Sequence, residues 1–148
     1  FRTGMSVAVV GSGPAGLFAA LALAQAGARP LLLERGKPVE GRGKDIGAMI
    51  HRGVLHPDSN FCYGEGGAGT WSDGKLTTRI GKNSQEVREV LEAFVQFGAP
   101  EKILVDGKPH LGTDRLVRLL RQMREHLIEL GTEIHFETKV HRVVIEGG

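Results

Sequence analysis

A glycine-rich turn near the start of the chain constrains the fold more than any other feature. The stretch GSGPAG, Gly11–Gly16, follows a Val-rich run at Ser6–Val10 and leads into an Ala- and Leu-rich run at Pro14–Gly27. A short apolar run predicts a buried strand, and a proline in the first turn with a glycine after the last is typical of a helix. The apolar run Arg29–Glu34 completes a β-α-β unit, whose crossover is right-handed and whose strands are parallel.

Three glycines of this turn form the pattern G-x-G-x-x-G, in the strand-to-helix context that makes the pattern informative. Gly11 permits the tight turn, Gly13 lets the backbone approach a pyrophosphate, and Gly16 lets helix and strand pack closely. Glu34 lies 18 residues after Gly16, close to where an acid bonds a ribose 2′-hydroxyl. The pattern therefore predicts a dinucleotide site that disfavours a 2′-phosphate. The alternative is an ordinary β-turn-α junction with an acid at a strand end.

Composition and charge exclude several classes of function. The chain is 41% hydrophobic and 24% charged, as globular proteins are, and its net charge of +2 is too balanced for a nucleic-acid partner. Its apolar runs fall short of the ~20 residues that span a bilayer. The lone Cys62 excludes an internal disulfide, and the histidines lack the spacing of a zinc site. We expect a cytoplasmic protein with no metal and no membrane partner.

The rest of the chain predicts an α/β fold with a parallel sheet. Because the last apolar run ends in glycines with no partner strand after it, we expect the N-terminal part of a longer protein. We predict one domain over residues 1–148, a dinucleotide-binding domain that is incomplete and lacks its continuation and a substrate domain. The later predicted elements are a short helix near Asp45–Arg52, a helix over Asn83–Phe97 capped by Asn83, a strand or hairpin at KILVDGK, a helix from Thr113 or Asp114 to Leu130, and strands at GTEIHFE and KVHRVVIE, the last starting an antiparallel meander.

The motifs GSGPAG and LLLERG resemble the N-terminal motif of the glutathione-reductase-like flavoproteins, which contain two dinucleotide-binding domains. In that superfamily the first Rossmann-like unit binds the ADP half of FAD. The pairs Pro14-Ala15 and Glu34-Arg35 are typical of its FAD version rather than its NAD version. GEGGAGTWSDGKL and the segment from PHLGTD to ETKV are similar to bacterial FAD-dependent, or NAD(FAD)-utilising, dehydrogenases without an assigned substrate.

This resemblance implies FAD as the cofactor and adds two residues to the site. An arginine soon after the acid reaches the FAD phosphates in similar flavoproteins, which makes Arg42 a candidate; a solvated loop charge is the alternative. Val140 resembles the position whose backbone contacts the adenine. The predicted cofactor-binding residues outside the second glycine loop are Gly11, Gly13, Pro14, Ala15, Gly16, Glu34, Arg35, Arg42 and Val140.

The second glycine loop, YGEGGAGTWSDGKL at Tyr63–Leu76, has two interpretations. In one it is a tight turn whose glycines supply positive φ angles. In the other its small residues bring backbone N–H groups against a further part of the cofactor, and its polar side chains bond to that part. The second interpretation, which we favour, adds Gly66, Gly67, Ala68, Gly69, Thr70, Ser72 and Asp73 to the predicted site. In either case we expect its aromatic residues, Tyr63 and Trp71, to be core anchors, with packing against the cofactor ring as the alternative.

The leading hypothesis is the FAD-binding part of a flavin-dependent oxidoreductase or dehydrogenase that acts on an unassigned small molecule. NAD(P)H is a candidate electron donor. The alternatives are a dehydrogenase that binds NAD at the first glycine loop, and a non-enzymatic module in which a bound dinucleotide serves structure or sensing. The sequence identifies no catalytic residue, since it shows neither a Ser-His-Asp set nor paired carboxylates.

Overall fold

The β-α-β unit forms where the sequence predicts it. In the computed structural model, strand β1 spans Ser6–Val10, helix α1 spans Pro14–Gln25 and strand β2 spans Arg29–Leu33. The two strands pair in parallel, with Val10 opposite Leu33. The buried residues of α1 are all apolar, as expected of a helix that covers a sheet. The structure describes residues 4–76, 84–107 and 109–145.

A third strand, β3 at Glu133–His135, pairs in parallel with β2. The sheet order is β1-β2-β3, so β2 is central and its Leu32 is fully buried. Beyond the end of β2, the Glu34 amide donates to the His135 carbonyl oxygen at 2.8 Å, and the Glu34 carbonyl accepts from the Thr138 amide at 2.8 Å. The α/β fold class with a parallel sheet is confirmed, and the segment after β3 lies beside Glu34.

Helix α2, Val39–Arg52, is longer than the short helix predicted near Asp45–Arg52. Its buried residues are Val39, Arg42 and Ile46, which lie three and four positions apart and therefore on one face. The apolar periodicity misses the first half of this helix because an arginine occupies a buried position.

Two predicted strands are wrong. The 3-10 helix Glu101–Leu104 overlaps the start of KILVDGK, whose described residues 102–107 form no strand or hairpin. Residues 139–145, within the described part of the chain, carry no strand, so the start of the predicted meander is not formed there. A strand needs a partner for its N–H and C=O groups, and alternating apolar residues such as Val143 and Ile145 are exposed instead.

The chain divides into two compact units, Phe1–Gly67 with Leu127–Gly148, and Ala68–His126. The first contains the sheet, α1 and α2. The second contains helix α3 at Gln85–Gln96, the 3-10 helix and most of helix α4, which spans Thr113–Glu129. The buried apolar residues of the second unit are Phe97, Ala99, Ile103, Leu111, Leu119, Leu120 and Met123.

The cap of α3 differs from the prediction. The Ser84 side chain accepts from the Val87 amide at 3.3 Å, which satisfies one of the free N–H groups of the first turn. Asn83, the predicted cap, lies outside the described residues. Within the described ranges, no helix has the length and apolar character that a bilayer crossing requires.

Candidate cofactor-binding site

The first glycine loop joins β1 to the N-terminus of α1. Gly11 has a φ of +96°, which L residues with a side chain rarely adopt. A Cβ on Gly16 would lie 1.9 Å from the Gly11 carbonyl oxygen, so only glycine fits there. Gly13 is the N-cap of α1, and no side chain of the described residues caps this helix. The positive end of the helix dipole and its free N–H groups are therefore available to an anion.

The Glu34 carboxylate is buried and braces this loop. Its Oε2 accepts from the Ser12 amide at 2.7 Å and from the Ser12 hydroxyl at 2.9 Å. Its Oε1 accepts from the Gly36 amide at 2.8 Å. Ser12 is fully buried, and sequence reasoning missed it because it is one of the three unspecified residues of the glycine motif. The signal that could have identified Ser12 is a polar residue inside the glycine motif of a chain that also has an acid at the end of the next strand.

A pocket of about 290 Å³ lies at the carboxyl ends of β1 and β2. This is where open α/β sheets bind their ligands. The pocket brings together six of the predicted site residues. Most of its other lining residues were not predicted from the sequence. The lining residues are Val10, Gly11, Gly13, Leu33, Glu34, Arg35, Cys62, Tyr63, Gly64, Gly67, Thr138, Lys139 and Val140.

An arginine stacked on a tyrosine forms one wall of this pocket. The guanidinium carbon of Arg35 lies 3.9 Å from the centroid of the Tyr63 ring. Its Nε donates to Asp58 Oδ1 at 2.8 Å, and Nη2 bonds to the same oxygen. This hydrogen bond from Arg35 lowers the pKa of the Asp58 carboxyl, with a smaller contribution from Lys139. Tyr63 is 43% exposed, so the expectation that it is a core anchor is wrong.

The first half of the second glycine loop lies against the first glycine loop. The Gly66 amide donates to the Ser12 carbonyl oxygen at 2.8 Å. A Cβ on Gly67 would lie 3.2 Å from the Gly13 Cα and 3.2 Å from the Pro14 Cδ, and Gly67 has a φ of +68°. The two loops therefore approach each other through backbone atoms.

Arg42 lies beneath this loop rather than in the pocket lining. It is fully buried, and its guanidinium donates to carbonyl oxygens of the segment Asn60–Gly67. It is therefore not a solvated loop charge. Its contact with a phosphate stays a prediction.

The second half of the loop belongs to the second unit, where it bonds both within itself and to the segment 109–113. The Ser72 hydroxyl donates to the Gly69 carbonyl oxygen at 2.7 Å, and the Lys75 ammonium lies 2.7 Å from Asp73 Oδ2. The Thr113 hydroxyl donates to the Ser72 carbonyl oxygen at 3.1 Å. These contacts are typical of a turn. The cofactor contacts of all the predicted loop residues stay predictions: Gly66, Gly67, Ala68, Gly69, Thr70, Ser72 and Asp73.

The remaining predicted residues have separate places. Val140 lines the pocket beside Thr138 and Lys139. Pro14 and Ala15 form the first turn of α1, where the Ala15 amide is one of the helix's early N–H groups. Among the described residues, no group of three or more His, Cys, Asp or Glu side chains is placed to hold a metal ion.

Comparison with known proteins identifies the family. An uncharacterized protein of Clostridium beijerinckii is 42% identical over 140 residues, which cover 95% of this chain and 26% of that protein. The chain thus spans about a quarter of the length of this relative. Residues 6–116 match the FAD dependent oxidoreductase (DAO) family, and the match takes in both glycine loops and Glu34. The chain therefore belongs to the FAD dependent oxidoreductase family.

Proposed function

We propose that the first unit binds the ADP half of FAD in its pocket, as part of an oxidoreductase that acts on a small molecule. The observation that carries the proposal is one pocket with two complementary features. The uncapped N-terminus of α1 is next to Gly13, and the buried acid Glu34 lines the same pocket. The first attracts a pyrophosphate, and the second accepts hydrogen bonds from a ribose.

The residues present fit such a ligand. Glu34 Oε1 accepts one hydrogen bond, from Gly36, and a carboxylate oxygen has room for about two. A ribose hydroxyl can therefore donate to it without breaking the brace on Ser12. The pocket volume of about 290 Å³ is just below the ~300–1,000 Å³ of typical ligand sites. It suits part of a dinucleotide better than a whole one.

The flavin, when bound, supplies the electron transfer, and the protein supplies binding and orientation. The first glycine loop offers backbone N–H groups to the phosphates. Glu34 orients the ribose, and its charge disfavours a 2′-phosphate. The wall made by Arg35 and Tyr63 offers a flat surface next to Thr138–Val140, where we place the adenine. The two-domain, glutathione-reductase-like organisation and NAD(P)H as the electron donor are further parts of this proposal.

Flavin content tests the proposal directly. We expect the purified full-length protein to be yellow and to release FAD on denaturation, as measured by absorbance and chromatography of the released cofactor. A colourless protein that NAD stabilises against heat, with no such effect from FAD, would instead support an NAD-dependent dehydrogenase. Rapid reduction of the flavin by NADH or NADPH and its reoxidation by an acceptor would exclude a purely structural role for the cofactor.

Gly67→Val tests the contribution of the second glycine loop. We expect FAD affinity to fall by about 100-fold, because a side chain at a φ of +68° would push the loop away from Gly13. Isothermal titration and the flavin spectrum measure the effect. Gly69→Ala is the variant to compare with Gly67→Val, because a Cβ on Gly69 would meet no atom within 4 Å. A normal flavin spectrum and normal FAD affinity in the Gly67→Val protein would contradict the cofactor-facing interpretation and support the tight-turn interpretation.

A further inference from the structure

Arg42 is an unusual residue to find at the base of a glycine loop. Its side chain is fully buried, and it points at main-chain oxygens. Nε donates to the Asn60 carbonyl at 2.8 Å, and Nη2 donates to the Phe61 carbonyl at 2.9 Å. Nη1 donates to the Glu65 and Gly67 carbonyls, each at 2.7 Å, and is 3.4 Å from the Gly64 carbonyl. One planar group thus joins both ends of the segment Asn60–Gly67.

The positively charged guanidinium of Arg42 is buried away from solvent. Burial lowers the pKa of the Arg42 guanidinium, and the nearby carboxylates of Glu34 and Glu65 act in the opposite direction. Glu65 is itself buried and accepts from the Val39 amide at 2.7 Å, at the start of the helix that carries Arg42. The guanidinium and the loop are therefore parts of one buried polar network, in which each member depends on the others.

The glycines around Arg42 match its shape. A Cβ on Gly64 would lie 2.6 Å from the Arg42 Cδ, so a side chain there would displace the arginine. A Cβ on Gly36 would lie 2.5 Å from the Gly64 Cα. The glycine-rich composition that distinguishes this region thus has two causes. Gly67 approaches the first glycine loop, whereas Gly64 makes room for the side chain below it.

We propose that Arg42 is a positioning residue, which gathers the carbonyl oxygens of Asn60–Gly67 and so holds the loop against the first glycine loop. This inference rests on the proposed function, because the pocket that the loop helps to line is the one assigned to FAD. This positioning role differs from a direct phosphate contact in the group that the guanidinium binds. The fork of N–H groups binds protein carbonyls, and the ligand meets the backbone that these carbonyls hold in place.

A lysine distinguishes the two roles. Its ammonium keeps the positive charge but lacks the planar fork that reaches four carbonyls at once. A phosphate contact would be partly retained in the Arg42→Lys protein. The positioning role would be lost in it, and the loss would be visible before any ligand is added.

The experiment uses the full-length protein and three variants: Arg42→Lys, Arg42→Ala and the control Lys44→Ala, whose exposed cation lies on the same helix. Without FAD, hydrogen exchange is measured at the Glu65, Gly66 and Gly67 amides, which donate to Lys37, Ser12 and Gly64 carbonyls. FAD affinity and the flavin spectrum are measured next. For the alanine variant both measurements are repeated with millimolar guanidinium chloride, which can refill the site.

We expect faster exchange at these three amides in both Arg42 variants, and FAD affinity lower by roughly 10- to 100-fold. Guanidinium should reverse both effects in Arg42→Ala, and Lys44→Ala should behave like the wild type. Normal exchange in Arg42→Lys together with weaker FAD binding would overturn the proposal in favour of a direct ligand contact. If Arg42→Ala does not fold, Arg42→Lys decides. A wild-type protein that binds no FAD would overturn the proposed function, and the exchange data alone would then decide the positioning role.

Discussion

Gly16→Ala is expected to destabilise the protein by about 1–3 kcal/mol, the usual cost of adding an atom where packing leaves no space. The added Cβ would lie 1.9 Å from the Gly11 carbonyl oxygen and 3.5 Å from a Val9 methyl. Helix α1 can accept it only by moving away from β1, which would also shift its N-terminus from the pocket. Urea denaturation measures the loss of stability, and titration measures the loss of FAD affinity.

Gly47→Ala is the matched control, since it makes the same change in another helix of the same unit. A Cβ on Gly47 meets nothing within 4 Å, and alanine is the better helix former. We expect a gain of about 0.4–1 kcal/mol. If Gly16→Ala were as stable as Gly47→Ala and bound FAD normally, the close approach of α1 to the first glycine loop would be wrong.

Glu34→Ala is expected to have a comparable or larger effect. It would leave three buried donors without their acceptor: the Ser12 amide, the Ser12 hydroxyl and the Gly36 amide. Each such group costs about 1–3 kcal/mol, so the total loss of stability should reach about 3 kcal/mol or more unless water enters. FAD affinity should fall as well, because the proposed ribose acceptor is removed.

Glu34→Gln separates the structural role from the ligand role. The amide keeps the shape and one acceptor oxygen but presents an NH₂ group to one set of donors. We expect an intermediate loss of stability by urea denaturation. Glu89→Gln on the exposed face of α3 serves as the control, for which no loss of FAD affinity is expected. Wild-type stability in both Glu34 variants would contradict the bracing of the first glycine loop by Glu34.

The parts of the fold that follow from local pattern were predictable. The strand-turn-helix-strand order from Ser6 to Leu33 depends on short apolar runs, a proline and two glycines, all close in sequence. The roles of Gly11 and Gly16 follow from the geometry of that turn alone. The strands predicted at KILVDGK and KVHRVVIE were wrong, because a strand depends on a partner that may lie anywhere in the chain, and local alternation does not supply one.

The parts of the site that depend on distant residues were not predictable. Ser12 meets Glu34 across 22 positions, and Arg42 meets the Asn60–Gly67 loop across 18 to 25. A charged residue in a polar stretch is usually exposed, so nothing local marks Arg42 as a core residue. The stacking of Arg35 on Tyr63 is likewise a contact between separate segments.

The sequence by itself determined the β-α-β unit and its glycine turn, because a glycine motif of fixed spacing acts through its own backbone. It also predicted which end of this unit faces a ligand. Only the tertiary structure decided what the second glycine loop is attached to. Its first half is held by a buried guanidinium and touches the first loop, whereas its second half bonds to itself and to the segment 109–113. The physical reason is that buried carbonyl oxygens need donors, and which donor reaches them is set by the packing of the whole unit.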